Sequence, residues 1–151
     1  MGGSVVHGVD LAAVEHAVRL AERRTTGEIR VALARFYFWG DVRRAAARAF
    51  DRLGMRRTRD RNGVLIFVAP WRRRFAILGD DGVTDRVAPD FWRGLADLLG
   101  QAFRAGDATG GLERAIAAIG EQLAAHFPAD PAANPNELSD TVSVDGQRHR
   151  R

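Results

Sequence analysis

The stretch Gly63-Val64-Leu65-Ile66-Phe67-Val68-Ala69 decides the fold. It is apolar on both faces, the pattern of a central strand covered from above and below. Behind it Pro70-Trp71-Arg72-Arg73 turns the chain, and Phe75-Ala76-Ile77-Leu78 reads as a further strand, hairpin-paired with the first. Ahead of it, Glu28 to Phe36 alternates. Ile29, Val31 and Leu33 lie on one side and Arg30, Ala32 and Ala34 on the other, as in a strand. Between these strands Asp41 caps a helix that turns Val42, Ala45, Ala49 and Leu53 inward and stops near Gly54. A strand–helix–strand crossover favours parallel pairing within one sheet.

Further out, Leu11, Val14, Val18 and Ala21 step by three and four, which predicts an amphipathic helix from about Asp10 to Arg24, stopped by Thr25-Thr26-Gly27. Pro89 suits the first turn of a helix carrying Phe91, Leu95 and Leu98 inward. Gly106 breaks it, Asp107 caps the next, and Leu112, Ile116, Ile119 and Leu123 define the last helix, ending near Phe127. The order predicts one α/β domain, a three-layer α/β/α sandwich with about four main helices. Its sheet is small and mixed: strands 1 and 2 are parallel and strand 3 is antiparallel. Residues 1–9 read as a flexible N-terminus and 10–127 as the domain. Residues 128–151, with three prolines, read as a largely disordered tail that lies on the domain as far as Leu138.

At 151 residues, 46% hydrophobic and 28% charged, the chain is long enough to bury a core without staples. It has no cysteine, which excludes disulfides, thiolate metal sites and thiol nucleophiles. No apolar run reaches the roughly 18 residues of a membrane span, and MGGSVVHGVD lacks the basic head and apolar stretch of a signal peptide, so a cytoplasmic location is expected. The net charge is +4, and every one of the 23 basic residues is Arg. Total replacement of Lys by Arg reflects a coding bias rather than a binding surface.

Seven arginines and one Asp occur between Arg56 and Arg74, but the intervening strand, roughly 20 Å long, separates them into two groups. That split, with no recognition motif, argues against nucleic acid as a partner. The strand order gathers Glu28, Asp60, Asn62, Asp80 and Asp81 at one sheet end, beside Arg56, Arg57, Arg59 and Arg61. Two readings stand there: oxygen ligands around a hard cation, Ca²⁺ or Mg²⁺, or turn chemistry, with Asn62-Gly63 and Asp81-Gly82 as turn dipeptides and Asp60 paired to an Arg. The opposite end collects Trp39, Trp71, Arg72, Arg73 and Arg74. It reads either as a contact for a partner or a membrane surface, or as Phe36, Phe38 and Trp39 closing the core with Trp71 over a turn.

Several chemistries are missing. Ser4, Ser139 and Ser143 are the only serines, all near the termini, and there is no GxSxG. His7, His16, His126 and His149 are scattered without ligand spacing. No Asp-x-Asp pair follows a strand, and neither a twelve-residue calcium loop nor a glycine-rich phosphate loop is present. Hydrolysis, if any, is left with a metal-activated water held by carboxylates.

The ordered set Thr26-Gly27-Glu28-Ile29-Arg30-Val31, Ala49-Phe50 to Leu53-Gly54-Met55, Arg61-Asn62-Gly63-Val64-Leu65-Ile66-Phe67-Val68-Ala69, Arg74 to Gly79-Asp80, Gly82-Val83, Phe103-Arg104-Ala105-Gly106-Asp107 and Gly111-Leu112 resembles the TPM domain family. The resemblance runs from about residue 26 to 125. It implies an α/β/α sandwich, and divalent-cation binding in the loops around Asn62, Asp80 and Asp81, with Glu28, Asp60 and Asp107 as further positions. It also implies either an accessory or interaction domain acting with a membrane protein complex, such as a membrane protein of the LemA type, or a weak metal-dependent acid phosphatase. The chain departs from the commoner family pattern in one telling place. Asp60-Arg61 stands where a Lys-Asp pair precedes Asn-Gly, so a cation replaces a carboxylate beside the proposed ligands.

Overall fold

In the computed structural model, residues 5–35, 38–130 and 142–144 are described. Strands β1 (Val5–Val6) and β2 (Val9–Asp10) form a short antiparallel hairpin. Helix α1 (Leu11–Glu22), strand β3 (Glu28–Leu33), helix α2 (Val42–Arg52) and strand β4 (Gly63–Ala69) follow. Strand β5 (Arg74–Gly79), the short helix α3 (Asp81–Thr84), α4 (Pro89–Arg104), α5 (Ala108–His126) and strand β6 (Ser143–Val144) complete the order.

The central sheet runs β5-β4-β3-β6. β3 and β4 are parallel with Glu28 opposite Gly63, and β5 returns antiparallel to β4 with Val64 opposite Gly79. All seven residues of β4 are buried, as a strand sandwiched between helix layers must be. The alternation on β3 sorts its side chains between two cores. Ile29, Val31 and Leu33, with Val64, Ile66 and Val68, meet α1, α4 and α5 through residues such as Val14, Leu99, Ile116 and Leu123. Ala32, Ala34, Leu65, Phe67 and Ala69 meet Ala45, Ala46, Ala49 and Phe50 of α2, with Met55. The result is the expected α/β/α sandwich.

Capping follows the sequence signals. Asp10 accepts from the Ala13 amide, Asp41 from the Arg43 and Arg44 amides, and Asp107 from the Gly110 amide. Each such cap is worth about 1 kcal/mol. α1 and α5 lie parallel. At one end the Asp10 amide donates to Thr109 Oγ1 (3.1 Å), and at the other the Thr26 amide donates to the Phe127 carbonyl (3.0 Å).

Two boundaries differ from the sequence reading. Residues 5–9 are not a loose N-terminus: they build the β1–β2 hairpin, and Val9 is fully buried in the core. The tail also returns. β6 pairs parallel to the end of β3, Ala32 opposite Ser143 and Leu33 opposite Val144, with Val142 in the core. An uncovered parallel edge would leave backbone donors unpaired, which explains why a distant segment closes it. Strand β3 ends at Leu33, earlier than expected. Phe36, residues 1–4 and the tail segments 131–141 and 145–151 lie outside the described residues.

Candidate functional site

β4 and the β4–β5 hairpin decide what gathers at each sheet end. Because β3 and β4 start together and β5 ends beside them, the loops before Gly63 and after Gly79 meet. Asp80 caps α3, and its side chain is shielded completely from solvent. Arg61 grips it with two bonds: Nε donates to Oδ2 and Nη2 to Oδ1, each at 2.8 Å. The Asp81 amide donates to Oδ1 at 2.8 Å, and Arg56 Nη1 stands 3.9 Å from the same oxygen. Burial pushes the Asp80 carboxyl up. The Arg61 and Asp81 hydrogen bonds, with the charges of Arg61 and Arg56, outweigh it and hold the group below the usual carboxylate range. The same contact with Asp80 raises the Arg61 guanidinium.

The loop pair is clasped through backbone as well. The Gly82 amide donates to the Arg61 carbonyl at 2.9 Å and the Asp80 amide to the Gly63 carbonyl at 2.9 Å. Arg61 itself holds φ 52, a left-handed conformation uncommon for a residue with a side chain. Asn62 is 1% exposed. Its amide donates to Thr58 Oγ1 and its Nδ2 to Thr26 Oγ1, while Oδ1 is buried without a hydrogen-bond partner.

The expected ligand set is therefore brought together only in part. Asn62, Asp80, Asp81 and Asp60 share these loops, and Glu28 starts β3 nearby, fully buried. Asp81 is exposed, with Arg61 Nη2 3.8 Å away, and Asp60 faces Arg59 at 3.8 Å. Asp107 belongs elsewhere. It caps α5 at the end where Thr109 meets Gly8 and Asp10, opposite the Thr26–Phe127 end that adjoins Glu28. No group of three or more His, Cys, Asp or Glu suited to a metal occurs among the described residues. A cation at Asp80 would have to displace a bidentate guanidinium already neutralising it, so the donor set does not fit a resident Ca²⁺ or Mg²⁺. The partnership of Arg61 with Asp80 was readable only as proximity at one sheet end; its fork geometry was not.

At the other end, Trp39 is 81% and Trp71 65% exposed. Trp71 stands on the single 3₁₀ turn Pro70–Arg72 of the β4–β5 hairpin, and Trp39 on the connection from β3 to α2. Arg72 joins the two loops. Its Nη1 donates to the Gly40 carbonyl at 2.6 Å, and its guanidinium lies 5.6 Å from the Phe38 ring and 5.9 Å from the Trp39 ring. Arg73 takes the left-handed turn position, φ 52. Only half of the alternative reading holds here: Phe38 packs edge-on against Phe67 of the core at 6.0 Å, but Trp39 does not close it.

The TPM domain model matches residues 4–122, most of the chain. The chain belongs to the TPM domain family. BA42 from the psychrophilic bacterium Bizionia argentinensis is 37% identical over 89% of this chain and 91% of its own, with a TM-score of 0.81. The N-terminal domain of cg2496 from Corynebacterium glutamicum is 15% identical over 93% of this chain and 78% of its own, with a TM-score of 0.52, and shares the fold alone. None of the curated proteins matches. The TPM match begins at residue 4, which takes the β1–β2 hairpin into the domain. No helix among the described residues is long and apolar enough to cross a membrane.

Proposed function

We propose that this TPM domain is an accessory interaction domain without hydrolytic turnover of its own. It acts with a membrane protein complex, for which a membrane protein of the LemA type is the candidate, and the contact is made by Trp39, Trp71, Arg72, Arg73 and Arg74. The carrying observation is Arg72, whose hydrogen bond to the Gly40 carbonyl and seat on the Phe38 and Trp39 rings tie two loops that hold indole rings in solvent. Exposed aromatic and Arg side chains fixed on one platform are the composition of a binding hot spot. At the other end, Asp80 is committed to Arg61 and to the α3 cap, so the Asn62–Asp80 loops act as a structural clasp.

The test is an assay of the full chain on aryl phosphates with Mg²⁺, Ca²⁺ and Mn²⁺ supplied in turn. The expected result is no release above buffer. Metal-dependent release that Asp80→Asn abolishes would overturn the reading in favour of a weak metal-dependent phosphatase.

A further inference from the structure

The two groups of arginines differ in what neutralises them. At the Asp80 end Arg56 faces Asp51, Arg59 faces Asp60 and Arg61 grips Asp80, and of that group Arg57 alone is in no ion pair among the described residues. At the aromatic end, Arg72, Arg73 and Arg74 are in no ion pair among the described residues, and Arg73 and Arg74 are exposed. The acid nearest in sequence to Trp39 is Asp41, whose carboxylate is turned onto the Arg43 and Arg44 amides at the start of α2. The surface is thus a positive field around two indole rings.

The exposure of its rings matters as much as its charge. Trp39 and Trp71 stand on the tips of two adjacent loops, and their exposures of 81% and 65% leave most of each ring outside the fold. Indole rings held largely in solvent suit a soft boundary that closes around them, and the headgroup level of a bilayer is where amphipathic indoles are favoured. Arg73 and Arg74, exposed and in no ion pair among the described residues, are attracted by acidic headgroups. We propose that the Trp39–Trp71 end docks directly on an anionic phospholipid surface, with the two indoles at headgroup depth and Arg72, Arg73 and Arg74 against lipid phosphates. This deepens the interaction-domain reading and rests on it: the domain works at a membrane, and the end that faces the membrane complex also meets the lipid surface around that complex.

The experiment is co-sedimentation of the full chain with vesicles of phosphatidylcholine alone and of phosphatidylcholine mixed with phosphatidylglycerol, followed also by tryptophan emission. Binding is expected to the mixed vesicles only, with a blue shift, and to weaken as salt rises. Arg73→Gly is a clean variant, since glycine suits φ 52, and Arg74→Gln removes a second charge from an exposed position. Each lost charge should weaken binding about five-fold. Trp71→Ala should weaken binding and diminish the blue shift, with melting unchanged in all three variants.

Equal binding to both vesicle types, or binding insensitive to these variants, overturns the proposal. Natural membranes separate its failure from that of the broader reading. Attachment to them that is lost after protease shaving, with no attachment to the mixed vesicles, identifies a protein partner and overturns the lipid assignment alone. No attachment to either overturns both.

Discussion

Gly82 tests whether the Asp80 end is a clasp. A Cβ at that position would lie 2.2 Å from the Asp60 carbonyl oxygen and 2.6 Å from that of Arg61. Both obstacles are backbone, so Gly82→Ala can be accommodated only by moving the 58–62 turn away from α3. That movement breaks the 2.9 Å bond from the Gly82 amide to the Arg61 carbonyl. Losing one such bond costs about 1 kcal/mol and overpacking a further 1–3, so the expected destabilisation is roughly 2–4 kcal/mol. For a domain of this size that lowers Tm by roughly 5–15 °C. Gly94 provides the control. It sits inside α4, and a Cβ there meets nothing within 4 Å. Gly94→Ala should therefore stabilise by about 0.5–1 kcal/mol through helix propensity alone. The assay is thermal melting of the three proteins side by side, with amide exchange at Arg61, Asn62 and Gly82 as the local readout. A Gly82→Ala protein that melts with or above wild type, its exchange unchanged, would refute the clasp.

Two further outcomes follow from the same contacts. Asp80 is held below the ordinary carboxylate range, so its contribution is complete above about pH 5 and is lost as pH falls through its lowered folded-state value; the stability gap between wild type and Asp80→Asn, measured by denaturant titration, should be constant near neutrality and close only in acid. Removing residues 140–151 deletes β6 and the buried Val142, worth about 1–2 kcal/mol, and should lower Tm while raising amide exchange at Leu33; unchanged exchange there would show that β6 does not protect the edge.

Much of the fold was legible because period and punctuation are local. The unbroken apolar run of β4, the alternation on β3 and the caps at Asp10, Asp41 and Asp107 each report a neighbourhood within a few residues. The hairpin and the crossover then set β3 parallel to β4 and β5 antiparallel to it, as found, whereas the second parallel pair, β3 with β6, was not foreseen. The short helix α3 was hidden because Asp81-Gly82 reads as a turn, whereas Asp80 caps it and the Gly82 amide is held by Arg61 from another loop. Val5–Asp10 and Ser143–Val144 were also missed. Two-residue strands have no period to read, and their pairing comes from what the sheet edge and the core require.

The candidate site divides along the same line. Strand order alone placed Asn62, Asp80 and Asp81 at one end and Trp39, Trp71 and Arg72 at the other. Asp107 joined the ligand positions only through the family resemblance, while its local reading as the cap of α5 holds; nothing local reveals that α1 and α5 run parallel and carry the start of α5 to the far end. Sequence by itself determined the layers, the sheet's mixed character and which residue types face each end, since these depend on hydrophobic period and turn chemistry. Only the tertiary structure decided that Arg61 fills the acceptor sites of Asp80 and that Arg72 locks two tryptophan loops together. Those pairings depend on side-chain geometry between segments distant in the chain, where a fraction of an ångström separates a charge-assisted bond from mere proximity.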